Sequence, residues 1–113
     1  MSRDEMDVMA GRCATELRQP KRAEALLRPV LARYDEAFTR EAALYASWLA
    51  EAYVQLREVE EAAAVASRSL LLSARVKSAR GRDRVALVRD ELRQHEEVAA
   101  VRDFEELYRQ VAA

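Results

Sequence analysis

The chain has 113 residues, half of them hydrophobic, which is the size of one domain and excludes disorder despite 35% charged residues. Two Gly and two Pro are far too few chain breakers for a β-sandwich or for alternating strands and helices, so an all-α fold is expected. A net charge of −1 gives no whole-molecule attraction for nucleic acid or a membrane surface. One cysteine cannot form an internal disulfide, and no apolar run approaches the roughly 20 residues that span a bilayer. With no signal-peptide core at the N-terminus, a cytoplasmic protein is expected.

Met6, Met9, Ala10, Cys13, Ala14 and Leu17 step by three and four, which predicts a first helix with these residues on its core stripe. Pro20 closes it, because the residue before proline disfavours the helical region. A second stripe follows at Ala23, Leu26, Leu27, Val30 and Tyr34, with Pro29 expected to kink or split the helix near Leu26. Asp35 to Thr39 breaks the pattern, and Thr39 is placed to cap the next helix.

The third helix, about 40–56, is apolar around most of its circumference and is expected in the middle of the domain, packed on two sides. Helix four, about 58–73, follows a very short turn around Arg57-Glu58, so the two are antiparallel neighbours. Ser78 can cap helix five, and Gly81 marks a break or irregular turn near its start. Val85, Val88, Leu92 and His95 stripe helix five; Val101, Phe104, Leu107, Tyr108 and Val111 stripe helix six. Three hairpins, about 4–35, 40–74 and 78–112, repeat small anchors: Gly11 to Ala50 is 39 residues and Ala50 to Val88 is 38. The simplest architecture is an α-solenoid of three antiparallel hairpins filling a single domain over residues 1–113. A closed six-helix bundle is the alternative.

Residues 43–76 resemble a tetratricopeptide repeat through Leu49-Ala50, Tyr53, Ala62, Ala66 and Ser69 around the turn Leu56-Arg57-Glu58-Val59. The chain departs from that pattern at Arg57, where the repeat usually has Gly, and at Ala74, where it usually has Pro. Over about residues 5–110 the wording is similar to the C-terminal repeat region of actinobacterial Xre-type helix-turn-helix transcriptional regulators. That resemblance implies a domain that senses a ligand or mediates assembly beside a DNA-binding domain. No helix-turn-helix stands in these 113 residues, so the chain reads as a segment of such a regulator or as a stand-alone relative.

Nothing in the residue pattern points to catalysis, a metal or a cofactor. Cys13 reads as a small core residue, and His95 as a cation at a helix C-terminus. The adjacent pairs Glu60-Glu61, Glu96-Glu97 and Glu105-Glu106 point about 100° apart and read as solvated faces. The expected site is the concave surface made by the first helix of each hairpin: Val8, Arg12 and Glu16; Leu44, Ser47, Trp48, Glu51 and Gln55; Arg82, Val85, Arg89 and Arg93. Trp48 reads either as packed core or as an aromatic wall of a groove. The seven Arg and Lys of residues 75–93 either pair with the acids of helix six or offer Arg82, Arg89 and Arg93 to an acidic partner. The expected ligand is a protein, a peptide or a small-molecule effector, without direct nucleic-acid or membrane binding. Self-association as a homodimer is expected through an end hairpin. The rival functions are a stand-alone adaptor and a purely structural dimerisation module.

Overall fold

The computed structural model describes residues 3–33 and 39–112. They form six α-helices: α1 (Arg3–Glu16), α2 (Pro20–Arg33), α3 (Thr39–Gln55), α4 (Val59–Arg75), α5 (Ala79–Leu92) and α6 (Ala99–Ala112), with a short 3-10 turn, Arg93–His95, after α5. The fold is all-α, and none of these helices is long and apolar enough to cross a membrane.

Three-residue joints link α1 to α2, α3 to α4 and α4 to α5, and all three are built alike. Arg18, Arg57 and Lys77 adopt left-handed backbone angles, with φ of 57°, 63° and 54°. Their amides bond back to Thr15, Val54 and Ala74, while the next amides, of Gln19, Glu58 and Ser78, reach Ala14, Tyr53 and Ser73. Each is a Schellman motif, which satisfies the last carbonyls of one helix. The following residue then opens the next helix, as Ala23, Ala62 and Arg82 donate to Gln19, Glu58 and Ser78. At Ser78 the expected cap forms: its hydroxyl accepts from the Gly81 amide at 3.0 Å. The turn between α5 and α6 has no such residue; Val98 donates to His95 and accepts from Val101 and Arg102.

Helices α3 and α4 pack most closely, because small residues line their crossing. Ala43, Ala46, Ala50, Ala62, Ala66 and Ser69 are all buried. The Ser69 hydroxyl donates to the Ala43 carbonyl at 2.6 Å, tying the two backbones together inside the core. Next, α3 seats on α1 and α2, and α5 seats in the same manner on α3 and α4. Strict repetition stops at α6. It packs on α4, and its direct backbone contact with α5 is marginal. The different joint after α5 is the local cause, since it sends the chain away from the tight antiparallel return. The radius of gyration is 13.0 Å, that of an ordinary globular domain of this length (about 13 Å), with principal extents of 39 × 28 × 19 Å.

Several local expectations are corrected. The buried side of α1 is Val8, Gly11, Ala14 and Thr15, while Met6, Met9 and Leu17 are more than half exposed and Cys13 is exposed. The reason is Gly11: a Cβ there would stand 2.6 Å from Leu27 Cγ, so α1 meets α2 on its glycine face. Pro20 opens α2, and Pro29 sits within an unbroken helix. Both Pro29 and Ala25, whose carbonyl it leaves free, face solvent, where water can satisfy that group. Gly81 is inside α5 rather than at a break; a side chain there would run into Ser73 of α4. Tyr34, the 35–38 break and the side chain of Thr39 lie outside the described residues.

Candidate functional site

Helices α1, α3 and α5 present one common surface, and Trp48 lies at its centre. It stacks on Tyr45 with ring centroids 6.1 Å apart and planes 19° from parallel. Two guanidiniums roof it: Arg12 of α1 lies 5.0 Å from the ring centroid and Arg84 of α5 lies 5.6 Å from it. Only 6% of Trp48 stays exposed, so its indole is reached by moving an arginine aside. Cation–π attraction of this kind strengthens as the pair is desolvated.

Arg84 connects the row. Its Nε donates to Ser47 Oγ at 3.2 Å, and its Nη2 binds Glu51 at 2.6 Å. The Ser47 hydroxyl in turn donates to the Leu44 carbonyl. Arg12 binds Glu16 one turn on, at 3.1 Å. Further along, Gln55 donates to the Thr15 carbonyl at 3.1 Å, linking α3 to the end of α1. Its amide oxygen is buried without a hydrogen-bond partner among the described residues. There the surface deepens into a cleft of about 430 Å³ lined by Arg18, Val54, Gln55, Arg57, Glu91, Gln94 and His95. Burial, and then the neighbouring Glu51 charge, hold the Glu91 carboxyl above its ordinary pKa.

The structure brings Arg12, Glu16, Ser47, Trp48, Glu51 and Gln55 together on this surface, with Leu44 half-buried beside them. Val8 and Val85 are core residues. Arg82 is exposed. Arg89 turns to α6, where it forms a two-pronged ion pair with Glu105 and lies 4.2 Å from the Tyr108 ring centroid. The Glu105 carboxyl is held below its ordinary pKa by that hydrogen bond. For Arg89, pairing with helix six replaces the expected place on the groove. Arg93 also leaves this surface; its nearest carboxylate is Asp90, at 3.8 Å.

No family model, curated protein or solved structure matches the chain. Its site is therefore read from geometry alone. Arg84 and Glu91 were missed in the sequence because the buried stripe Val85, Val88 and Leu92 is flanked by charge on both sides. The 38-residue anchor spacing selects the Arg89 flank, whereas packing on α3 turns the Arg84 and Glu91 flank toward Trp48. Their seven-residue spacing, equal to that of Ser47 and Val54, is the signal that was available.

Proposed function

We propose that this chain is a non-catalytic, tetratricopeptide-like interaction domain that binds a protein or peptide segment on its α1–α3–α5 surface. In this reading it is the sensory or assembly part of a cytoplasmic transcriptional regulator. The observation that supports it best is Arg84, a half-buried cation that joins Trp48, Ser47 and Glu51 into one cluster. A ligand carboxylate can replace Glu51 on the guanidinium fork, exchanging one charge-assisted hydrogen bond for another. As the arginine swings, the Trp48 face becomes available for an apolar or cationic group. Because Arg12 and Arg84 come from different helix pairs, such exchange alters how α1 and α5 are held to α3. That gives a ligand differential affinity for two arrangements, which a sensor requires. The three Schellman joints support the repeat resemblance, with Arg57 in the left-handed conformation that glycine usually supplies.

A peptide-display selection against the folded chain tests this reading, with Arg84→Ala as the counter-screen. Selected peptides are expected to bind with micromolar affinity and to lose about tenfold, about 1.4 kcal/mol, on Arg84→Ala. Recovery of no binder, or of binders indifferent to Arg84, would overturn it. A dimerisation module is the second reading, favoured by the exposed Met6, Met9 and Leu17 along α1. Sedimentation equilibrium tests it: a dimer broken by Met9→Glu is expected, and a monomer at all concentrations contradicts it.

A further inference from the structure

We infer that the cleft at the C-terminal ends of α1, α3 and α5 is a site for a free acidic amino acid, a small molecule with two carboxylates and one ammonium group. Its volume of about 430 Å³ falls within the range of small-ligand sites, about 300–1,000 Å³. Arg18 and Arg57 line it with exposed side chains, and among the described residues neither guanidinium makes a hydrogen bond or an ion pair. Glu91 enters the cleft from α5, half-buried, and its carboxyl likewise has no hydrogen-bond partner among the described residues. Gln55 is fixed beside it by its bond to the Thr15 carbonyl, and Val54 supplies an apolar wall.

The origin of the two arginines sets this cleft apart. Each occupies the left-handed position of a Schellman joint, with φ of 57° and 63°, where glycine fits freely and any other residue is strained. Two hairpins thus accept an unfavourable residue, and both deliver its side chain to one cavity, as strained positions do when they serve a ligand. The third left-handed residue, Lys77, does not line the cleft. Charge then selects the ligand. Arg18 and Arg57 present two positive charges against the one carboxylate of Glu91, while His95 at the edge lies 3.9 Å from Glu97. An acidic amino acid carries the reverse set. Its carboxylates meet the guanidinium forks in charge-assisted hydrogen bonds, its ammonium meets Glu91, and its methylene stem lies against Val54. Burial, and then the Glu51 charge, hold the Glu91 carboxyl above its ordinary pKa, and a bound ammonium offsets both. The cleft is independent of the peptide reading, which turns on Arg84.

Isothermal titration calorimetry of the full chain with L-glutamate and L-aspartate tests this. Saturable binding of at least one is expected with a Kd below about 1 mM. The diacids glutarate and succinate, which lack the ammonium, and the amides glutamine and asparagine, which lack the second carboxylate, are expected to bind at least about tenfold more weakly. Arg18→Gly and Arg57→Gly each remove a guanidinium while supplying the residue that the left-handed joint prefers, so lost binding there is not lost folding. Each is expected to weaken binding at least about tenfold, with far-UV circular dichroism unchanged. Glu91→Gln is expected to abolish the preference for an amino acid over its diacid. A Kd above about 1 mM for both amino acids, or less than about tenfold discrimination against the analogues, would overturn the inference. So would a loss of less than about tenfold in either glycine variant, or a preference that survives Glu91→Gln. A chain that binds display-selected peptides through Arg84 but neither amino acid fails here alone, and the converse result fails only the peptide reading.

Discussion

Ser73 and Gly81 form a tight point of the α4–α5 crossing, and two small substitutions there show how that crossing is held. Ser73 is fully buried, and its hydroxyl has no hydrogen-bond partner among the described residues. A buried polar group left unpaired costs about 1–3 kcal/mol, so Ser73→Ala is expected to raise stability by about 1 kcal/mol. Gly81→Ala places a methyl group over Ser73 Oγ and 3.1 Å from Ser73 Cβ. Overpacking of this kind costs about 1–3 kcal/mol, and the better helix propensity of Ala offsets up to about 1 kcal/mol of it. The expected net loss is about 1–2 kcal/mol. With Ser73→Ala already present, the hydroxyl overlap is gone and only the Cβ contact has to relax by a few tenths of an ångström. The cost of Gly81→Ala should then fall below about 0.5 kcal/mol, giving a coupling of about 1 kcal/mol between the two sites. Urea unfolding followed by far-UV circular dichroism measures all four proteins, with stability taken by linear extrapolation. Equal costs of Gly81→Ala in the two backgrounds would refute the crossing geometry. A destabilising Ser73→Ala would show that the hydroxyl is paired.

Three further outcomes are expected. Leu49→Ala should lower stability by about 2–5 kcal/mol in the same urea assay, and Ala50→Leu by about 1–3 kcal/mol, because one leaves a cavity and the other crowds the α3–α4 crossing. Arg57→Gly should raise the melting midpoint, relieving up to about 1 kcal/mol of left-handed strain; an unchanged or lowered midpoint would contradict the Schellman assignment. Glu105 and Glu91 should show opposite pH signatures in urea unfolding. The Glu105 pKa is lowered first by its Arg89 hydrogen bond, so its contribution is present above the unfolded-state pKa and is lost as pH falls through the folded-state value. Glu105→Gln should therefore destabilise at neutral pH and lose its effect in acid. The Glu91 pKa is raised, first by burial, so the protonated form favours folding and stability is lost as pH rises through the folded-state value. Glu91→Gln should stabilise at neutral pH and lose its effect in acid.

Helix number, order and the α3–α4 centre were legible because Ala46, Ala50, Ala62, Ala66 and Ser69 announce a close crossing through size alone. The stripe of α1 misled because Met6, Met9, Cys13 and Leu17 have the right period, while the face that packs is marked by Gly11, whose value lies in having no side chain. Periodicity reports apolarity, and a glycine contact contributes none. For α5, period and charge left two flanks equivalent, and only long-range contact with α3 distinguishes Arg84 from Arg89. The divergence of α6 depends on the 3-10 turn at Arg93–His95, which carries no Gly, Pro or Asn to signal a changed direction.

The central claim is that the row of Arg12, Trp48 and Arg84 is a binding surface. An amide and indole NMR titration with a display-selected peptide tests it most directly, since Trp48 is the one tryptophan and its indole signal needs no assignment. The expected result is a saturable shift of that indole, together with the amides of Ser47, Glu51 and Arg84, along one binding isotherm. A saturating peptide that leaves the indole unmoved, with shifts confined to α6, would contradict the claim.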